Sequence, residues 1–243
     1  MTVLEGEEAP IAKLHVLLEQ SSHITFNVTS GPKHGQLCLL DKDLKEVVSR
    51  SAASFTAEEV GAKRIVYRHD DSENDEDAFD FVAFETGSKE ERVYHGTFRV
   101  SVVMKNDNPP VRVVDRIFHV VAGSERPLTA KDLKYQDADL GSKASDIHYT
   151  RRTIPNGMLF RVDDRNVQVY QFTQEDIDEE KIVFRHNGPN YGRTVLWITD
   201  GQYYASGILK IQASKPFLKI WRNTGLLVRG GESVQLSSDN LCV

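Results

Sequence analysis

Short stretches in which apolar and polar residues alternate recur along this chain. Ile24–Thr29, Gln36–Leu39, Phe79–Phe84 and Thr97–Val102 read this way, and so do Ile147–Thr150, Gly157–Val162, Val195–Thr199 and Gly207–Ala213. A period of two sends successive side chains to opposite faces, so each stretch predicts a half-buried strand. Turn residues separate them, at Gly31-Pro32-Lys33-His34-Gly35 and at Pro155-Asn156-Gly157, where glycine tolerates a positive φ. The segment Phe55–Val60 breaks the alternation. There Thr56 is followed three residues later by Glu59, the spacing of a capping box, which predicts one helical turn ahead of a strand. About seven short strands per hundred residues, joined by such turns, is the profile of a β-sandwich.

The pattern occurs twice. SFTAEEVGAKRIVYRH ends at His69 and QFTQEDIDEEKIVFRH ends at His186, in register without a gap from Phe55 and Phe172 onward, an offset of 117 residues. Val3–Ile11 and Val120–Leu128 align at the same offset, and a fainter third start follows at Leu227–Ser233. This is a duplicated structural unit. It divides the chain into a first repeat over 1–108, a second over 109–215, and over 216–243 the opening of a third, which lacks the strands needed to close a core. Phe55, Ile65, Tyr67, Phe79 and Phe81, with Phe172, Ile182, Phe184, Leu196 and Ile198, are the expected cores.

Composition narrows the function. The 243 residues are 40% hydrophobic and carry a formal net charge of −6, with no Lys/Arg stripe to displace phosphate counterions, so a nucleic-acid partner is not expected. No apolar run approaches the length of a membrane span, and no signal pattern opens the chain. Cys38 and Cys242 lie in different repeats and read as two thiols. Asn27-Val28-Thr29 is a glycosylation sequon.

The motifs GEEAPI, SGPKHGQL, SFTAEEV, IVYRHDDSENDEDAFDF and NDNPP, in that order, resemble the chondroitin sulfate proteoglycan repeat. The second repeat, with LWITDGQYYASGILKIQA, looks most similar to the nerve/glial antigen transmembrane proteoglycan type and its insect relative Kon-tiki (Perdido). The resemblance implies an all-β fold of tandem cadherin-like β-sandwich repeats. It implies a spacer and ligand-binding or adhesion module on the extracellular face of the plasma membrane, anchored through a segment outside this chain. Its expected partners are matrix proteins of collagen type, growth factors or other cell-surface receptors. Two alternatives stand beside it: a secreted basement-membrane protein of the Fraser group and a carbohydrate-active enzyme.

Cadherin-type junctions gather calcium ligands from a first strand, an acidic loop, an Asn-Asp-Asn linker and an Asp-x-Asp in the next domain. The resemblance therefore points to Ca2+ at the junction of the first and second repeats. The residues implied are Glu5, Asp70, Asp71, Glu73, Asp107 and Asn108, with Asp137 and Asp139 following. Hard oxygen donors of this kind are what calcium takes. The other reading is a solvated acidic loop and a linker stiffened by proline. At the second boundary Ala122, Asn187-Gly188 and Ser214-Lys215-Pro216 stand where those donors were.

Catalytic chemistry finds little purchase. His69 and His186 share one register after a strand and read as structural histidines. Metal-ligand Cys/His spacing, a phosphate-binding glycine loop and a nucleophile elbow are all missing from the sequence. The chain is expected not to be an enzyme. Tyr203-Tyr204 and Arg151-Arg152 are candidates for a partner surface.

Overall fold

The computed structural model describes residues 1–12, 14, 24–41, 52–85, 93–216 and 220–242. Two compact units emerge: Met1–Asn108 with Ala138–Ser142, and Pro109–Asp137 with Lys143–Val243.

The first unit runs β1 (Thr2–Leu4), β2 (Glu8–Pro10), β3 (Ile24–Ser30), β4 (Gly35–Leu39), β5 (Ser54–Thr56), α1 (Ala57–Gly61), β6 (Ile65–His69), β7 (Glu76–Glu85) and β8 (Val93–Val103). One sheet has the order β1-β8-β7-β3-β5 and the other β2-β6-β4. Strand β1 lies parallel to β8, Thr2 facing Ser101, while β7 and β8 are antiparallel. Phe26, Phe79 and Val100 from the first sheet and Leu37, Ile65 and Tyr67 from the second share one core. Each large side chain so buried contributes on the order of 1.5–3 kcal/mol.

The second unit repeats the plan with β9 (Val111–Asp115), β10 (Phe118–Val121), β11 (Glu125–Pro127), β12 (Leu133–Gln136), β13 (His148–Arg151), β14 (Gly157–Arg161), β15 (Gln171–Thr173), α2 (Gln174–Asp178), β16 (Ile182–His186), β17 (Tyr191–Thr199) and β18 (Tyr204–Ser214). Its sheets are β10-β18-β17-β13-β15 and β11-β16-β14, with β12-β9 as a separate pair. Strand β10 is parallel to β18, as β1 is to β8. All ten expected core residues are buried. Residues 220–242 hold only β19 (Arg222–Asn223) paired with β20 (Leu241–Cys242). None of them is buried.

Both helical turns carry the expected cap. The Thr56 hydroxyl accepts from Glu59 N while Thr56 N donates to Glu59 Oε2, and Thr173 and Asp176 repeat the exchange. Each turn is left through a non-glycine residue of positive φ, Lys63 at 57° and Glu180 at 56°. The duplication thus extends to backbone strain.

The histidines are structural. His69 Nδ1 accepts from Gly6 N and Asp71 N, each at 3.2 Å. His186 Nδ1 accepts from Gly123 N at 3.0 Å, and its Nε2 faces the Pro189 carbonyl at 3.2 Å. Gly6 and Gly123 both turn the chain at positive φ, 67° and 75°. A buried imidazole thereby fastens the turn after β1 or β10 to the end of β6 or β16.

Candidate metal centre

The first unit draws a group of acids into one place. Glu5 follows β1, where its N–H donates to the Val103 carbonyl at 3.0 Å and continues the parallel ladder. Alternation along an edge strand turns its side chain inward, and it is 0% exposed. Glu5 Oε2 accepts from Lys105 N at 2.8 Å. Its Oε1 is buried with no hydrogen-bond partner. Carboxylate oxygens of Glu5, Glu73 and Asp107 lie within 4.8 Å of one another.

Asn108 and the 138–142 segment complete the cluster. The Asn108 side-chain amide donates to Glu73 Oε1 at 2.7 Å, to Asp139 Oδ1 at 2.8 Å and to Asp107 Oδ1 at 3.2 Å. Asp139 Oδ1 also accepts from Asn108 N at 3.0 Å, and Glu73 Oε2 from Leu140 N at 2.8 Å. Burial raises the Glu73 carboxyl above its ordinary range; the Leu140 N–H opposes this, and the charges of Glu5, Asp139 and Asp107 push it further up. Such a group of anions is held together at an electrostatic cost that a cation would relieve.

Of the residues the sequence pointed to, Glu5, Glu73, Asp107, Asn108 and Asp139 meet here. Asp70 and Asp71 do not join them. Asp70 is exposed and caps its own loop, accepting from Ser72 N at 3.2 Å and Ser72 Oγ at 2.5 Å. Asp71, at φ 66°, lays its carboxylate where any side chain on Gly6 would have to go. Asp137 belongs to the second unit, where its carboxylate lies within 4.8 Å of that of Asp200. Asp200 had no signal in the sequence beyond a Thr-Asp-Gly turn. Its Oδ1 accepts from Gln202 N and Tyr203 N, each at 2.7 Å, and its Oδ2 is buried without a partner.

Two surface features complete the inventory. Asn27 and Thr29 are both exposed on β3, so the sequon faces outward. Arg151 is not a surface residue: it is 4% exposed, donates from Nε to the Val169 carbonyl at 2.6 Å and stacks over the Tyr170 ring. Only Arg152 of that pair is exposed. Among the described residues no helix is long and apolar enough to cross a membrane.

The cadherin-like family model matches residues 1–102 and 110–213. The chain belongs to that family. Among curated proteins it is 35% identical over 240 residues to chondroitin sulfate proteoglycan 4 of Homo sapiens, covering 96% of this chain and 10% of that protein. The Mus musculus protein of the same name gives the same identity and coverage. FRAS1-related extracellular matrix protein 2 of Homo sapiens is 25% identical over 207 residues, 76% of this chain and 6% of that one. The chain spans about a tenth of the length of the first relatives it matches. Chicken VE-cadherin EC1-2 overlays with a TM-score of 0.46 at 13% identity, covering 88% of this chain and 97% of that one. The resemblance read from the motifs stands.

Proposed function

We propose that the chain is an extracellular spacer and ligand-presenting segment of a cell-surface protein of the chondroitin sulfate proteoglycan type, without catalytic activity, whose first unit is tied together by calcium. The observation that carries the calcium reading is Glu5. A fully buried carboxylate with one oxygen unpartnered, beside Glu73 and Asp107, is costly unless a cation completes it. The donor set is all oxygen, which suits calcium. Glu5, Glu73, Asp107 and Asp139 would hold the ion, and it would supply charge neutralisation. The Asn108 amide now substitutes three N–H···O contacts for that neutralisation; turned over, it would offer its oxygen.

The relatives' names support the extracellular setting, and a cluster of carboxylates and an amide gathered from the loops between strands, without a nucleophile, supports a binding role. Matrix proteins, growth factors and receptors are the proposed partners. Attachment to the membrane is assigned to another part of the parent protein. Asn27 is the proposed glycan acceptor of the first unit.

Titration calorimetry of the chain with calcium tests the metal reading. Heat is expected with a dissociation constant of about 10⁻⁴ to 10⁻³ M, as in extracellular modules, and it should vanish in Glu5→Gln, which keeps the acceptor for Lys105 N. A silent titration in the wild-type chain would reduce the cluster to a hydrogen-bonded loop anchor.

A further inference from the structure

The outward face of the second unit's five-stranded sheet differs from the rest of this acidic chain. Strand alternation points His119 and Val121 of β10, Tyr204 through Ser214 at every second position of β18, Tyr191 through Trp197 likewise on β17, His148 and Thr150 of β13 and Gln171 of β15 to solvent. Not one of these is Asp or Glu, in a chain with 36 acids against 30 Lys and Arg. Arg193 and Lys210 stand directly opposite each other in the β17–β18 register, and both are exposed. Like charges at paired positions destabilise a sheet, and no carboxylate on this face offsets them. Next along the register, Val195 faces Ile208 and Trp197 faces Ser206, with Thr150 on the other flank of Trp197. Val195, Trp197 and Ile208 are 37%, 46% and 39% exposed.

We infer that this face binds a sulfated, uronate-bearing glycan chain lying along β17. Its anionic groups meet Arg193 and Lys210, since a guanidinium fits the fork of a sulfate or carboxylate. A sugar ring lies against the indole of Trp197, whose π face attracts the ring's C–H edge, with the Ser206 and Thr150 hydroxyls beside it. Arg193 and Trp197 are four residues apart, about 13 Å along a strand, so a short, extended oligosaccharide spans both. An added peptide strand does not fit, because β17 and β18 are central strands whose backbone groups are already paired, and strand addition needs a free edge.

The first unit provides the contrast. There Glu76 and Asp80 are exposed on β7, Asp80 accepts from the Thr97 hydroxyl at 2.6 Å, and the sequon Asn27 faces Val82 where Thr150 faces Trp197 in the second unit. The carboxylates of Glu76 and Asp80 make that face less favourable to an anionic chain than the second unit's face.

The inference rests on the extracellular reading only for access to such glycans. The test is therefore run in chelator, where calcium plays no part. Size-defined heparin and chondroitin sulfate hexasaccharides, their desulfated forms, and a poly-glutamate peptide are titrated into the purified chain. At least one sulfated hexasaccharide is expected to bind, more weakly as salt rises. Arg193→Ser with Lys210→Ser should weaken it about tenfold or more, and Trp197→Ser should weaken it without changing the salt dependence. These side chains are exposed, so each variant should still melt as a folded chain, the double variant no earlier than the wild type because the Arg193–Lys210 repulsion is gone. Equal binding by the double variant, or poly-glutamate binding as tightly as glycan with Trp197→Ser indifferent, would overturn the assignment.

Discussion

Glu5 in the first unit and Ala122 in the second occupy one place on one scaffold, 117 residues apart. Each donates its N–H to the last strand of its unit, Glu5 to Val103 at 3.0 Å and Ala122 to Ser214 at 2.8 Å. Each precedes a positive-φ glycine fastened by a buried histidine. The side chains differ completely: Glu5 enters an acidic cluster, whereas Ala122 packs against the core. The fold is carried by backbone pairing, the two histidines and the aromatic core, so these are shared. Charge is placed at positions the scaffold does not use, and there the units are free to diverge. The first unit thus gathers a cluster of acids, and the second carries an alanine there and an acid-free sheet face.

The shared core sets the largest expected effect. Phe55 stacks on Phe26 with ring centroids 5.3 Å apart, and Phe172 on Tyr149 at 5.1 Å. Phe55→Ala and Phe172→Ala should each cost about 3–5 kcal/mol. If the units are energetically equivalent here, urea melts of the two variants will agree within error; a much smaller loss for either one breaks the equivalence.

Next is a contrast beneath the turn of each unit. Asp77 is buried and accepts from Lys33 N at 2.9 Å, His34 N at 3.0 Å, Ala78 N at 2.8 Å and the Tyr67 hydroxyl at 2.8 Å. Burial raises its carboxyl, but the bonds from Lys33, Tyr67, Ala78 and His34 together hold it below the usual range. The second unit has no such anchor. The amide of Asn156 lies against Gly192 in the corresponding space, its two polar atoms buried without partners. Asp77→Ala should therefore destabilise the first unit by about 3 kcal/mol, because it strands several buried donors at once. A depressed folded pKa gives stability that is present above the unfolded value, about 3.9, and lost as pH falls through the folded one. In the first unit that loss should shrink in Asp77→Asn. The second unit's own acid loss runs through Asp176, which burial raises but Arg161 and Thr173 lower further. A denaturation series from pH 7 downward separates the two.

The smallest effect tests the repeated strain. Lys63 and Glu180 leave their helical turns in the left-handed region, where glycine is at ease. Lys63→Gly and Glu180→Gly should each raise stability by up to about 1 kcal/mol, read as a higher denaturant midpoint with unchanged slope. A loss in only one unit would show that its side chain contributes contacts the other lacks.

Much of the scaffold is legible in the sequence, because alternation reports burial on one face and Thr-x-x-Glu reports a cap. All ten core positions follow from that alone. Pairing is less legible. Nothing in Thr2–Leu4 announces a parallel partner about a hundred residues away, since alternation marks a strand and not its neighbour. The same limit applies to charged residues. Arg151 follows Thr150 in the alternation and so points inward, although its charge suggests the surface. Asp70 and Asp71 look equivalent to Glu73 in an acidic run, yet only Glu73 reaches Glu5 and Asp107, because the loop turns at Asp71. Asp139 shares a cluster with Asn108 through folding of a short segment that its local sequence does not specify.

The parallel pairing of an early strand with the last long strand of each unit, β1 with β8 and β10 with β18, has a mechanical consequence. In parallel strands the start of one and the finish of the other lie at opposite ends of the ladder. Tension applied between the start of β1 or β10 and the finish of β8 or β18 therefore runs lengthwise along both strands and loads their hydrogen bonds in shear, so that they must yield together. Antiparallel terminal strands would unzip one bond at a time. Each unit is thus secured by a short stretch of backbone that contains no unusual residue.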